Sequence, residues 1–519
     1  MLGLLAEAGY VPISYDPADP EASLRADAVV VNTCGFLEAS KDESLSVIKE
    51  AVRAKQAGNV GRVVVAGCLV QRHRAKMLEW EPGIDAMVGV FDRDRIVDAV
   101  GGPAGGFGGA RADHKSDSPR YWVNANALTK AAELGIAGAA SLTVNGKDGR
   151  GVGYFEDDSA RMRLTPRHYA YLRISEGCNQ RCAFCTIPSI RGKMRSKPMD
   201  RVVSEAVELV HDGAFELNLI GQDTTSYGDD IGVGFGQVGP GQAGAGGLPA
   251  LLEGVTNAVR GAGGTGWVRL MYAYPSSFRD EFIEAFARLA GEGVLCPYID
   301  MPLQHASDRV LANMRRNVTS DQQRAVLRKL RERVPGMTIR TTFITGFPGE
   351  TEGDHRELMA FVEEQRFEAM GVFEYSREDN TPAGTMEKDP ALAVPAEVKA
   401  RRRDELMSLQ QRIVFERNES LSREYNEAKR DGRRADVLID SPARTSGLAT
   451  TGVSSGGSLY AGRTRAQAPA IDGVTYVQSR QRLSPGELVP CVIVGFDGYD
   501  LIARPRSELE SGISLSVLR

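Results

Sequence analysis

The chain of 519 residues carries 63 Lys and Arg against 68 Asp and Glu, a formal net charge of −5, with an odd count of seven cysteines. That length suffices for a sizeable core and about three domains, so no disulfide framework is needed, and the near-balanced charge argues against a polyanion as main partner. No apolar run approaches the roughly 20 residues of a membrane helix, and the opening MLGLLAEAGY lacks the basic and apolar regions of a signal peptide, so a cytoplasmic protein with another use for its thiols is expected.

From Asp27 to about Val100, short β-branched runs alternate with polar helical stretches. Ala28–Val31 is followed by Asn32-Thr33-Cys34-Gly35 and a helical pattern over Asp42–Gln56; Val63–Ala66 is followed by Gly67-Cys68 and a helix near Gln71–Trp80. Buried parallel strands with crossover helices have this pattern, so residues 1–100 are expected to form a small α/β layer domain. Composition shifts over 101–165, where GGPAGGFGGA holds six glycines in ten residues, and a linker or loose insertion is expected. Strand–helix alternation then resumes over 166–400, with strands expected at Tyr171–Ser175, Glu216–Ile220, Trp267–Tyr272, Tyr298–Met301, Thr338–Ile344 and Gly371–Tyr375. Helical patterns such as Arg201–Asp212 and Glu352–Glu364 follow most of them. Six βα units in succession point to a partial (βα)6 barrel rather than a flat doubly wound sheet. A second glycine-rich stretch, Gly228–Gly247, has the composition of a surface loop. Beyond a charged helix near Ala396–Arg417, residues 412–507 change to short strands with glycine turns, the pattern of a small all-β barrel.

The sharpest chemical signal is Glu176-Gly177-Cys178-Asn179-Gln180-Arg181-Cys182-Ala183-Phe184-Cys185. Three thiols at C-x3-C-x2-C follow a strand directly, and a compact loop of this kind can hold three corners of a cubane cluster, leaving the fourth iron open. Zinc is the rival, but a structural zinc site wants a fourth Cys or His at short spacing and none is near; three buried structural thiols are the bland alternative. A second feature, Arg340-Thr341-Thr342-Phe343-Ile344-Thr345-Gly346-Phe347-Pro348-Gly349-Glu350, is a strand ending in a Gly/Pro turn. Gln222-Asp223 and Gln304-His305 also fall at C-terminal strand ends, where barrel enzymes place site residues. Cys34 and Cys68 each end a strand; if those strands are parallel neighbours, both thiols emerge on one sheet edge. Cys296 and Cys491 sit in apolar contexts and read as core.

The cysteine spacing resembles that of the radical S-adenosylmethionine (SAM) enzymes. The resemblance implies a 4Fe-4S cluster on Cys178, Cys182 and Cys185 whose open iron chelates SAM; one electron cleaves the SAM, and the resulting radical abstracts a hydrogen from an unactivated carbon. It also implies that Phe184 packs near the SAM adenine and that the turn of Gly346, Pro348, Gly349 and Glu350 contacts SAM, and Gln222 joins them as a cofactor-binding candidate by its place at a strand end.

With NTCGF, AGCL, the cysteine loop and a C-terminal barrel of the TRAM type, which is OB-like, nearly the whole chain is similar to the methylthiotransferase family. That family holds a second 4Fe-4S cluster on three cysteines of its N-terminal domain, implicated in sulfur delivery. Cys34 and Cys68 match the second and third ligands. The first lies in the family in a segment similar to SLGCPKN, just upstream of a helix continuing into MLGLLAEAGY, so Met1 is expected not to be the true start. Family substrates divide between tRNA adenosine and an aspartate of small-subunit ribosomal protein S-twelve. Ile187-Pro188-Ser189-Ile190-Arg191-Gly192, Asp300-Met301-Pro302-Leu303-Gln304-His305-Ala306-Ser307 and Gly462–Val477 resemble the protein-modifying branch. From Ser441 to Pro505 six arginines and no lysine face four acids, less basic than a tRNA-binding barrel requires. The expected activity is methylthiolation of the aspartate β-carbon, with the ribosomal protein or small subunit as partner, an electron donor such as flavodoxin and a sulfur source. The same chemistry on tRNA, and a non-catalytic ribosome-associated chain, are the alternatives.

Overall fold

The computed structural model describes residues 1–13, 25–102, 120–135, 153–156, 158, 161–232, 246–263, 266–443 and 457–511. Most of both glycine-rich stretches, 103–119 and 233–245, lies outside these residues. Among the described residues no helix is long and apolar enough to cross a membrane.

Strands β1 (Val29–Thr33), β2 (Val63–Gly67), β3 (Ala86–Val88) and β4 (Arg120–Trp122) form one parallel sheet in chain order. β2 is buried along almost its whole length, as a run of β-branched residues covered on both faces should be. Helix Glu38–Gln56 turns Ile48, Ala51 and Val52 inward at helical spacing and packs them with Val63 and Val65. The stretch 101–165, expected as linker, is corrected here: residues 120–133 supply β4 and helix Ala127–Glu133, which complete this layer. Lys130 in that helix is only 2% exposed, its ammonium 3.0 Å from Asp94 Oδ2 and 3.4 Å from Asp92 Oδ1, because a buried charge requires partners. Its surroundings lack the apolar periodicity that would have shown the helix in the sequence.

The central domain has β5 (Tyr169–Arg173), then β6 (Ser175–Glu176) and β7 (Arg195–Ser196), which pair antiparallel as a separate two-stranded sheet, then β8 (Glu216–Ile220), β9 (Trp267–Leu270), β10 (Leu295–Asp300), β11 (Thr338–Thr345) and β12 (Ala369–Glu374). Six strands are parallel in the order β5-β8-β9-β10-β11-β12, an open (βα)6 barrel. Helices Met199–His211, Gly247–Gly261, Asp280–Gly291, Ser320–Arg333 and Glu352–Gln365 cover it, burying residues such as Val202, Leu251, Phe286, Leu327 and Phe361 in one core.

A long helix, Ala396–Arg423, leads to β13 (Arg434–Pro442), β14 (Ser458–Arg463), β15 (Thr475–Ser479), β16 (Leu488–Asp497) and β17 (Asp500–Pro505). These close into a barrel, β13-β14-β15-β17-β16, filled by Val437, Ile439, Val477, Ile493 and Ala503. It docks on the N-terminal ends of the central strands through buried polar contacts. Glu216 pairs with Arg269 at 2.7 Å and with Arg463 of the small barrel, and the Tyr298 hydroxyl donates to Asp472 Oδ2 at 2.7 Å. Cys491 lies in the small barrel's core and Cys296 between the two barrels, both buried.

Candidate active site

A cavity of about 1170 Å³ opens at the C-terminal ends of the central strands. Cys178, Cys182 and Cys185 line it together with Phe184 and Gln222, and Val30, Asn32 and Phe36 reach in from the N-terminal layer. All three cysteines of the loop therefore face one chamber, as the spacing implied.

The loop is fixed by backbone contacts. Gly177 has φ +81°, and an added Cβ would lie 2.2 Å from the Lys193 carbonyl oxygen, so the chain passes there only as glycine. The Cys178 N–H donates to the Gly192 carbonyl at 3.2 Å, and the Gly177 N–H to Gln222 Oε1 at 2.5 Å. Asn179 Oδ1 accepts the Met194 N–H at 3.2 Å, and Gln180 Nε2 donates to Asp223 Oδ2 at 2.8 Å. On its far side the loop hangs from Ala183, whose N–H donates to the Met314 carbonyl at 2.8 Å and whose carbonyl accepts the Ala383 N–H at 3.0 Å. Phe184 packs with Phe347 and Tyr375 on this side.

Two arginines touch cysteine sulfur. Arg316 is buried, sits 3.9 Å from the Tyr274 ring centroid, donates to the Pro302 carbonyl at 2.7 Å and places Nη1 3.4 Å from Cys182 Sγ. Arg191 places Nη2 3.4 Å from Cys68 Sγ and donates through Nη1 to Glu176 Oε1 at 2.6 Å. Burial pushes the Glu176 carboxyl up, but Arg191 and Arg173 outweigh it and hold it at about 2. Burial pushes the Cys178 thiol well up and the Cys185 thiol up to about 12, so as free thiols both stay protonated at neutral pH and ligation must displace their protons.

Cys34 and Cys68 follow β1 and β2, whose last residues Thr33 and Gly67 are register partners. An added Cβ at Gly35 would fall 2.8 Å from Leu69 Cα and 2.9 Å from the Cys68 carbonyl carbon, so the two turns abut. Neither thiol lines the cavity: Cys34 is exposed, and Cys68 is buried against Arg191, which does line it. The N-terminal layer is clasped to the central barrel by Arg72, which meets Glu378 at 2.7 Å, while Glu378 Oε1 also accepts the Glu38 N–H at 3.1 Å.

The turn Gly346, Pro348, Gly349 and Glu350 follows Ile344, which lines the cavity. None of the four lines the cavity. Gly346, at φ +72°, lets the Lys399 side chain cross where a Cβ would lie 2.3 Å from its Cγ; the Gly349 N–H donates to the Leu392 carbonyl at 2.7 Å; Glu350 meets Arg402 at 3.0 Å. The turn seats the segment leading into the long helix. His305, fully buried, accepts the Ser307 N–H on Nδ1 at 3.0 Å and serves its own loop, whereas neighbouring Gln304 lines the cavity. Sequence reasoning missed Arg316 and Tyr274, which carry no local motif, and treated Arg191 only as part of a branch token.

The donor chemistry fits an iron–sulfur cluster. Three thiols, Cys178, Cys182 and Cys185, line one cavity within a single short loop. A cubane takes one thiolate per iron corner, and the N–H donors aimed at sulfur are of the kind that tune such clusters.

The Radical SAM superfamily pattern matches residues 172–362, the TRAM domain pattern residues 432–505, and uncharacterized protein family UPF0004 residues 1–89. Ribosomal protein uS12 methylthiotransferase RimO of Anaeromyxobacter sp. (strain Fw109-5) is 40% identical over 504 residues, covering 97% of this chain and 88% of that one. The RimO of Syntrophotalea carbinolica is 35% identical, covering 95% and 91%. Among solved structures, the radical SAM methyltransferase TsrM of Kitasatospora setae is 16% identical with a TM-score of 0.44, covering 69% of this chain and 66% of that one. Membership of the radical SAM superfamily implies a 4Fe-4S cluster and SAM as cofactors. On this identity over nearly the whole length, the chain belongs to the RimO family of radical-SAM methylthiotransferases.

Proposed function

We propose that the chain methylthiolates the β-carbon of an aspartate in ribosomal protein uS12. The observation that carries this reading is the convergence of Cys178, Cys182 and Cys185 on one cavity roofed by the layer that bears Cys34 and Cys68. Cys178, Cys182 and Cys185 would hold the SAM-cleaving 4Fe-4S cluster, and Cys34 and Cys68 would contribute to a second, sulfur-delivering one. With SAM, the first cluster supplies one-electron cleavage of a carbon–sulfur bond and hence hydrogen abstraction from an unactivated carbon. The chain's own residues hold the site. Gln222 fixes Gly177 beneath the loop, Phe184 offers an aromatic wall, Arg316 places positive charge beside Cys182, and Phe36 and Leu37 add apolar surface to the chamber from the N-terminal layer. The reaction would run in the cytoplasm, with an electron donor such as flavodoxin and a separate sulfur source.

Mass spectrometry of ribosomal proteins and tRNA nucleosides from a deletion strain tests it. Loss of methylthio-aspartate from uS12 with unchanged tRNA nucleosides is expected; loss of a methylthio-adenosine with uS12 intact would assign the chain to tRNA instead.

A further inference from the structure

A second cleft, of about 760 Å³, lies between the central barrel, the long helix and the TRAM barrel, at the end of the strands away from the cysteines. Thr338 and Ala369, the first residues of β11 and β12, line it, whereas Ile344 and Glu374 near the other ends line the cysteine cavity. Its volume is that of a small-molecule site.

Five arginines and three carboxylates line this cleft. Arg340 is occupied by Asp300 at 2.7 Å, and Arg434 faces Asp431 at 3.5 Å. Asp472 accepts from the Tyr298 hydroxyl and from the Ala468 N–H, and Glu368 from the Ile339 N–H at 2.9 Å. Arg465 donates through Nη2 to the Leu295 carbonyl at 2.5 Å and faces the buried Cys296. Arg417 and Arg433 line the cleft together and form no ion pair among the described residues. Burial, with Arg433 beside it, lowers the Arg417 pKa, and the field of Glu368 offsets this only in part. Two neighbouring guanidinium groups on this wall, Arg417 half-buried and Arg433 exposed, leave their forks free for an anion that accepts several N–H bonds at once. A phosphate group does so. Tyr499, 43% exposed on the same wall and held edge-on by Phe415, adds a ring face of the kind on which bases stack.

We propose that this cleft binds a phosphate group, from a free nucleotide or from a single-stranded nucleic-acid backbone, between Arg417 and Arg433. The site is independent of the cysteine chemistry, so it stands or falls without the reading above.

The test uses the full-length protein with adenosine 5′-monophosphate, adenosine and a short labelled single-stranded RNA. At least one phosphate-bearing probe is expected to bind, adenosine far more weakly, and the double variant Arg417→Gln/Arg433→Gln to lose about tenfold or more in affinity. Arg417→Lys/Arg433→Lys should retain most of the binding. Asp436→Asn, which removes an exposed carboxylate of the cleft that has no ion pair among the described residues, should tighten it, a gain that a merely destabilised fold would not give. Binding of the monophosphate alone assigns a free nucleotide. Binding of RNA alone, with a salt slope reduced by about one for each arginine removed, assigns a backbone. Failure of both phosphate probes to bind, equal binding of adenosine, or unchanged binding by the glutamine double variant overturns the proposal.

Discussion

The Arg191 guanidinium lies 3.4 Å from Cys68 Sγ while its other nitrogen holds Glu176, two residues before Cys178, at 2.6 Å. One side chain therefore ties the N-terminal layer to the strand that presents the cysteine loop. Arg191→Ala would leave the fully buried Glu176 with Arg173 as its remaining ion-pair partner. Removing one member of a buried pair costs on the order of 3 kcal/mol, more than a surface pair is worth. Urea unfolding should show that loss, with Arg191→Lys, which keeps charge but not the fork, recovering part of it. An unchanged midpoint would mean that Glu176 is satisfied by Arg173 alone.

Gly177 is the tightest point of the cysteine loop. Alanine there would meet the Lys193 carbonyl oxygen at 2.2 Å and its carbonyl carbon at 2.6 Å, backbone atoms that cannot swing aside, and would also be strained at φ +81°. Gly177→Ala should therefore unseat Cys178 from Gly192 and lower the iron retained after anaerobic reconstitution, even where circular dichroism shows the fold intact. Gly213→Ala, also at positive φ but with open space around it, is the control for strain alone and should retain iron.

Cys182→Ala should abolish SAM cleavage, measured as 5′-deoxyadenosine formed under reducing conditions, because a cubane short of one thiolate is not held at this loop. Cys296→Ala, which removes a thiol buried between the barrels, should leave cleavage at the parental rate. Nucleoside production surviving in the Cys182 variant would remove the loop from the chemistry.

The sequence was most legible where one local rule fixes the outcome. The strand Glu216–Ile220 stands where its alternation of polar and apolar residues places it, and the helix Glu352–Gln365 begins at a Thr351 capping box visible in the residues. Three cysteines within eight residues had to share a loop. The rest was hidden because it depends on long-range pairing. Arg316 reaches Cys182 across 134 positions, Arg191 reaches Cys68 across 123, and β4 earns its place only by pairing with β3. The turn Gly346–Glu350 is legible only in part. Its glycines do permit a close approach, but the approaching groups are Lys399 and Leu392 of the same chain. Small residues announce that something comes near, not what.

The docking of the small barrel should be acid-sensitive through Asp440. Its carboxylate meets His168 Nε2 at 2.8 Å and the Arg463 guanidinium at 2.8 Å, and Arg463 in turn pairs with the buried Glu216. Burial pushes the Asp440 carboxyl up, but hydrogen bonds from His168 and Arg463 and the charge of Arg463 outweigh it, so its folded-state pKa lies below the ordinary 3.8. A depressed carboxylate stabilises the fold fully above its unfolded pKa, and that contribution is lost as pH falls through the folded value. Stability measured by urea unfolding should thus be flat in this contribution from neutrality down to about pH 4 and should fall below it. Asp440→Asn keeps the size and one acceptor but removes the charge. It should be less stable than the parent at neutral pH, and the gap should narrow as the medium is acidified, because the parent loses what the variant never had. A gap that stays constant from neutral pH down to about pH 3 would show that Asp440 acts here as a hydrogen-bond acceptor whose charge contributes nothing to holding the two barrels together.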